Sequence, residues 1–366
     1  MLRPVLFIHR WLGVIIGAVM TIWCLSGFVM MYVDYPRLMP YEQVRGLAPL
    51  RLPEAQAFDR VTLTAETLLI SARMEMMSGR PVLRIERAVD PGRPITQMRS
   101  TPGTFDIATG RPLRQLSATE AHGVAITFGR QSDITGPPGN ARATGMDQWT
   151  VQTFRSNQPL YRVDYADPEG STIYVAGNSG EVVQRTTRFE RFWGWLGAVP
   201  HWLYPTILRH DGALWSQVVI WTSLVGCFLT VTGLWVGIAR LRRRRDGSIG
   251  SPYRGLWWWH HVSGLVFGVM ALAWVASGLF SMNPWGLLDS MAGFAENRQL
   301  AGEPRWSEVR AAMARLRILP PGTVRVESAA LAGQTFLIAT NAEGRILRFD
   351  ARGNAAPLGR EELMSA

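Results

Sequence analysis

Residues 212–254 read GALWSQVVIWTSLVGCFLTVTGLWVGIARLRRRRDGSIGSPYR, and this stretch decides the class of the chain. No charged residue falls between Gly212 and Ala239. A bilayer core about 30 Å thick needs roughly 20 apolar residues in helix, so this run is long enough to span. Arginines follow at once, at positions 240, 242, 243, 244, 245 and 254. Loops rich in arginine stay in the cytoplasm, so the run also fixes an orientation.

Two further stretches span by the same measure. Trp11 to Val33 carries no charge, and Gly255 to Leu288 carries none beyond His260 and His261 near its start. The first exceeds the apolar core of a signal peptide, about 7–15 residues, and no small-residue cleavage site follows, so it reads as a retained anchor. With residues 240–254 inside, the N-terminus beside Arg3 and Arg10 is inside too, while 34–191 and the tail after Asp289 lie outside. Phe192 to Leu208 is apolar but short, rich in Trp and Tyr, and broken by Pro200 and Pro205, which places it at the membrane interface.

Composition agrees. Charged residues are 18% of the 366, against about 25% in soluble domains, and hydrophobic residues are 47%. All 38 basic residues are arginine and the formal charge is +10. Nucleic acid is not the implied partner, because the densest cluster abuts a span and is explained by topology; membrane lipid is its neighbour. Cys24 and Cys227 both lie in apolar runs and form neither a disulfide framework nor a metal motif.

Residues 34–191 read as an α+β domain. Val82–Glu86 and Tyr161–Tyr165 alternate apolar and polar residues, and Thr172–Val175 and Glu181–Val183 are further strand candidates. Thr62–Met77 reads as an amphipathic helix, and Gly136–Asn140 (GPPGN) as a mobile loop.

The chain also repeats itself. At one constant offset His9 meets His260, Gly13 meets Gly264, Gly17 meets Gly268, Trp23 meets Trp274, Ser26-Gly27 meets Ser277-Gly278 and Met31 meets Met282. Leu83–Glu86 resembles Val324–Glu327, and Phe105-Asp106 resembles Phe349-Asp350. The tail thus reads as the start of a second copy, matching the first as far as about Thr119, with no counterpart of 119–239 and its span.

These features resemble the PepSY-associated transmembrane family of bacterial inner-membrane proteins. The likeness rests on His9–Gly13 opening the first span, Leu25-Ser26-Gly27 within it, Pro159–Val163 leading to Thr172–Val175 and Gly180–Val183, His201–Tyr204, and Thr232-Gly233. It implies a membrane α-helical fold with three transmembrane helices and a duplicated membrane unit, plus an α+β PepSY-like extracytoplasmic domain. The expected division is a first span (1–33), a periplasmic domain (34–191), an interfacial aromatic segment (192–211), a second span (212–239), a cytoplasmic loop (240–254), a third span (255–288) and a partial second PepSY-like repeat (289–366). The family includes haem-containing ferric-siderophore reductases. Usual members carry a fourth span.

Six histidines are available as ligands, at positions 9, 122, 201, 210, 260 and 261. Polar groups at membrane depth are costly and tend to serve function, and neutral imidazole is a common axial ligand of haem iron. His9 and His260 stand at equivalent points of two co-directional spans, so they are expected at one height, with glycines four and eight residues on along the same faces. Either may instead serve as an interfacial anchor. His260 and His261 compete for the second position; the repeat favours His260, leaving His261 to face a propionate. His201 matches a family histidine and is the candidate for a second, outer haem, with His210 as a possible substitute partner. His122 reads as a surface residue, and Trp23 and Trp274 as packing residues.

The expected cofactor is haem b, one or two per chain. The expected function is electron transfer from an external donor to a periplasmic ferric siderophore or similar chelate. The alternative is a non-enzymatic PepSY membrane module that binds or regulates a periplasmic protein. No GxGxxG, HExxH or GxSxG motif stands out, so nucleotide-dependent reduction and hydrolysis are not implied. A homo-oligomer could complete the missing quarter.

Overall fold

A computed structural model describes residues 2–89, 100–243, 247–288, 304–331 and 333–357. In chain order the elements are α1 (Leu2–Met30), α2 (Pro40–Arg45), a 3-10 turn (Ala55–Arg60), β1 (Leu69–Met77), β2 (Arg80–Ala88), β3 (Ser100–Asp106) and α3 (Ala118–Gln131). Then come β4 (Arg142–Thr144), β5 (Leu160–Asp164), β6 (Thr172–Ala176), β7 (Val182–Thr186), α4 (Arg188–Leu196), α5 (Ala198–His201), α6 (Thr206–Arg209) and α7 (Gly212–Arg240). Last are β8 (Arg242–Arg243), β9 (Ile249–Gly250), α8 (Leu256–Ser281), α9 (Trp306–Arg315), β10 (Thr323–Leu331), β11 (Gln334–Asn341) and β12 (Ile346–Phe349). Two compact units result: a helical unit of Met1–Tyr35 with Phe192–Ser290, and a sheet unit of Pro36–Arg191 with Met291–Ala366.

In the helical unit Arg3–Met30, Gly212–Arg240 and Leu256–Ser281 are long and apolar enough to cross a membrane. Phe7, Val14, Ile15, Ile22, Leu25 and Phe28 of α1 are each more than half exposed, which is stable against lipid and costly against water. The third helix stops at Ser281, short of Leu288, because Asn283 and Trp285 take left-handed backbone angles and turn the chain. Asp211 starts α7, its carboxylate accepting from the Ala213 and Leu214 amides at 2.9 and 3.0 Å. Packing uses leucines against glycines, as membrane helices do where close approach supplies the attraction. A Cβ on Gly268 would come within 2.6 Å of Leu234, one on Gly237 within 2.9 Å of Leu265, and one on Gly226 within 3.3 Å of Val275, so α7 and α8 are antiparallel and close.

The sheet unit holds a six-stranded antiparallel sheet, β12-β11-β10-β1-β2-β3, and a four-stranded one, β4-β5-β6-β7. Residues 304–357 do not stand apart as a separate tail domain: their strands extend the sheet begun by β1–β3. One face of the six strands (Ala72, Met74, Leu83, Ile85, Val326, Leu337) buries Trp306, Val309 and Met313 of α9 and Phe58 of the 3-10 turn. On the other face Met77 and Val82 pack with α3 and with Tyr161, Val163, Ile173 and Val175 of the second sheet.

Three expectations are corrected here. The helix expected over Thr62–Met77 is absent; Leu69–Met77 is β1. Both faces of β1 are buried, with Ala72 and Met74 in one core and Met77 in the other; Ala72–Met76 alternates apolar and polar residues, and the polar Glu75 is buried as well. The loop Gly136–Asn140 is pinned, since Gly139 donates to Asp164 O at 2.7 Å and Ala166 to Pro137 O at 3.0 Å. Finally, β10 holds in its meander the rank of β1, not β2. The positions that correspond are therefore Arg73-Met74-Glu75 and Arg325-Val326-Glu327, which pair antiparallel with Met74 opposite Val326. The two meanders are thus related by a local twofold at that pair.

The twofold extends to detail. Arg60 Nη1 donates to Ala108 O at 2.9 Å, and Arg315 Nη1 donates to Ala351 O at 2.9 Å. Gly110 (φ 70) and Gly353 (φ 85) each press on the backbone of the same arginine, Arg60 or Arg315. A side chain at Gly110 would meet both left-handed strain and the Arg60 carbonyl. Gly110→Ala is expected to destabilise the sheet unit by about 2 kcal/mol or more, read as earlier thermal unfolding.

At the centre of the sheet unit Glu75 is 1% exposed. Its carboxylate accepts from Arg84 Nε at 2.9 Å and Arg325 Nε at 2.7 Å. Arg84 also donates to the carbonyls of Ser179 and Gly180 in the β6–β7 turn, and Arg325 to Gln43. Burial pushes the Glu75 carboxyl up, but the arginines at 84, 325 and 73 outweigh it and hold the group below the ordinary glutamate range. The adjoining cavity, ≈ 30 Å³, is sized for water and not for a substrate.

Candidate functional site

The helical unit places three of the six histidines in two clusters, His9 with His260 and His201 with Trp23. At one end, His9 of α1 and His260 of α8 face each other with ring centres 6.3 Å apart and planes at 44°. His9 is half-buried against α7, where Gly233 leaves room for it: a Cβ there would come within 2.7 Å of His9 Cε1. Thr232 Oγ1 lies 3.5 Å from His9 Nδ1, too long for a firm hydrogen bond. The His260 ring is exposed and makes no hydrogen bond among the described residues. Beyond the pair, Gly17 and Gly264 look onto open space, and Gly13 meets only Leu229 at 4.0 Å.

His261 is placed differently. It is 7% exposed, with Nδ1 2.8 Å from Ser251 Oγ and Nε2 2.8 Å from Gly237 O. Both ring nitrogens are therefore engaged within the protein.

At the other end of α1, His201 stacks on Trp23, with ring centres 5.0 Å apart and planes at 8°, and its Nδ1 lies 3.0 Å from Trp23 O. Gly27 makes the space, since a Cβ there would come within 2.7 Å of the ring. Trp23 meets Trp274 edge-on at 5.6 Å. Around His201, Trp215 donates to Trp202 O at 3.0 Å, and the Arg209 guanidinium lies over Tyr204 and Trp215 at 5.2 and 4.7 Å. His210 caps the C-terminal end of α6. His122 lies on α3, in the sheet unit.

Sequence reasoning missed Gly233, Gly237 and Ser251 as parts of this site. Gly233-x-x-x-Gly237 is the small-residue spacing of close helix contacts, which is a signal for packing but does not say what is packed. Gly233→Ala is expected to swing the His9 ring away from α7 while leaving the fold intact, read as a changed imidazole environment with unchanged thermal stability. Among the described residues no three His, Cys, Asp or Glu side chains converge on one point, so protein groups alone form no metal cage there.

Three long apolar helices joined to a sheet-rich unit define a membrane protein with a soluble domain. The profile of the PepSY-associated TM region matches residues 6–346, and the chain belongs to that family. No curated protein and no solved structure matches this chain.

Proposed function

We propose that this chain is a b-type haem protein of the bacterial inner membrane, in which His9 and His260 would hold the haem iron, and that it serves electron transfer toward a periplasmic ferric chelate such as a ferric siderophore. The observation that carries the reading is the 6.3 Å between the two ring centres. An imidazole nitrogen binds a transition metal at about 2.0 Å and lies about 1.1 Å from its ring centre, so two rings gripping one metal from opposite sides have centres about 6 Å apart. The residues present fit the group: His260 has no hydrogen-bond partner among the described residues, His9 donates to the Leu229 backbone carbonyl and so keeps a lone pair on its other ring nitrogen, and glycines 17 and 264 face open space.

A bound haem supplies one-electron exchange, and the protein sets its position and potential. Here α7 holds His9 through the gap at Gly233, and α8 presents His260 at the same height. His201 is the candidate ligand for a second haem: an Nδ1–H donated to the Trp23 carbonyl leaves Nε2 with its lone pair. The electron donor is external, because no nucleotide motif is present. A ferric chelate suits the far side, since ferrous iron is held less tightly than ferric by hard oxygen donors.

The reading includes an internal duplication. Its support is the shared offset of His9/His260 and Trp23/Trp274, the contact of each pair across α1 and α8, and the matched meanders. It also includes the topology given by the arginine loop, with 240–254 cytoplasmic and 34–191 periplasmic.

The test is a pyridine haemochrome assay on the full chain purified in detergent from haem-replete cells, with spectra before and after dithionite. One or two haems per chain and a reducible low-spin spectrum are expected. A colourless protein would leave a membrane module whose soluble unit binds a protein partner.

A further inference from the structure

His261 has a hydrogen-bond partner at each of its ring nitrogens. Ser251 Oγ accepts from the Tyr253 amide at 3.3 Å, so its own proton is free for His261 Nδ1 at 2.8 Å. His261 Nε2 carries the remaining proton and donates to Gly237 O at 2.8 Å. That carbonyl lies in the last turn of α7, where helix carbonyls lack intrahelical partners. The Tyr253 ring closes the site edge-on at 5.2 Å. No lone pair on the His261 ring is left for a metal.

The two glycines of α7 give this bond its consequence. Gly233 seats His9 of α1; Gly237, one turn on, offers its carbonyl to His261 of α8 and lets Leu265 approach. One segment of α7 therefore sets the height of both helices. Successive residues on a helix point about 100° apart, so fixing His261 against α7 aims His260 at another neighbour. That neighbour is His9.

We propose that His261 is a positioning residue, not a ligand: its bonds to Ser251 and Gly237 fix the rotation and depth of α8 so that His260 meets His9. The spectroscopic consequence rests on the haem reading above; the geometric one does not.

Two measurements on the full chain test it. In the first, haem content, low-spin electron paramagnetic resonance and midpoint potential are compared for the parent, His260→Ala, His261→Ala and His261→Gln. Haem content in His261→Ala is expected within about twofold of the parent, with an altered low-spin signal and a shifted potential. His261→Gln should restore both in part, because an amide can accept from Ser251 and donate to Gly237. Haem lost from His261→Ala as completely as from His260→Ala would overturn the proposal and make His261 a ligand. In the second, cysteines replace His9 and His260 in a chain with Cys24→Ala and Cys227→Ala, and a short thiol-specific cross-linker is applied. The yield is expected to fall severalfold on His261→Ala and recover with His261→Gln. Equal yields with and without His261 would also overturn the proposal. This second arm decides the matter even if the parent chain binds no haem, an outcome that would sink the functional reading alone.

Discussion

His9→Ala and His260→Ala are each expected to weaken haem binding at the His9/His260 site at least about tenfold, which empties a one-haem chain and leaves one haem in a two-haem chain, while His122→Ala leaves the content unchanged. Loss of an outer-sphere partner already weakens metal sites by about 10–100-fold, and loss of a direct ligand costs more. If His9 and His260 hold the haem proposed above, either substitution would remove one of its two protein ligands and the low-spin state with it. The effect on the fold should be small. The His260 ring is exposed and has no hydrogen-bond partner among the described residues, and His9 faces the gap at Gly233. Content and low-spin character should therefore fall without a matching fall in melting temperature. His201→Ala separates the two clusters: a second haem at that end predicts partial loss, with the His9/His260 signal intact. Full haem content and an unchanged spectrum in His9→Ala would exclude this pair as ligands.

Glu75→Ala is expected to destabilise the sheet unit by about 3–5 kcal/mol, the range for removing one partner from a buried ion pair. Two arginines would be left facing each other across an empty place, one on β2 and one on β10. Through Arg84 the loss also reaches the β6–β7 turn. Hydrogen exchange of peptides covering β1, β10 and the β6–β7 turn in the full chain is the readout, and all three should lose protection together. The surface pair Glu66–Arg305 provides the contrast: its side chains are 70% and 52% exposed, and Glu66→Ala should change stability by less than about 1 kcal/mol. The same carboxylate gives a pH dependence of known sign. Its folded-state pKa is depressed, so its stabilisation is complete above the unfolded value, about 4.3, and disappears as pH falls through the lower folded value. The parent should therefore lose stability below about pH 4 more steeply than Glu75→Gln. Equal acid profiles would show that the Glu75 carboxylate does not carry this term.

The membrane-spanning helices were legible because their signal is additive along one segment. Twenty apolar residues exclude water whatever surrounds them, and the arginine run beside Ala239 needs no partner to be read. The pairing of His9 with His260 was legible for a related reason: the repeat put both at one point of two similar helices, and the structure brings their rings together. Strands β5 and β7 were also visible, wholly or in part, as alternation between a buried and a less buried face; β2 alternates in residue type although it is buried on both faces, and β6 was visible as a short run of strand-forming residues.

What the sequence by itself determined was thus whatever depends on a segment's own chemistry: three candidate spans, strands rich in alternating or β-branched residues, and two histidines at one shared offset. Only the tertiary structure decided that Leu69–Met77 is a strand, because the alternation of Ala72–Met76 is short and its partner strand β10 lies about 250 residues away in the chain. It alone joined residues 304–357 to the first sheet, brought Glu75 between arginines far apart in the chain, and gave His261 its partners in Ser251 and Gly237. Hydrogen bonds and ion pairs between distant segments are fixed by geometry, and geometry exists only once the chain has packed.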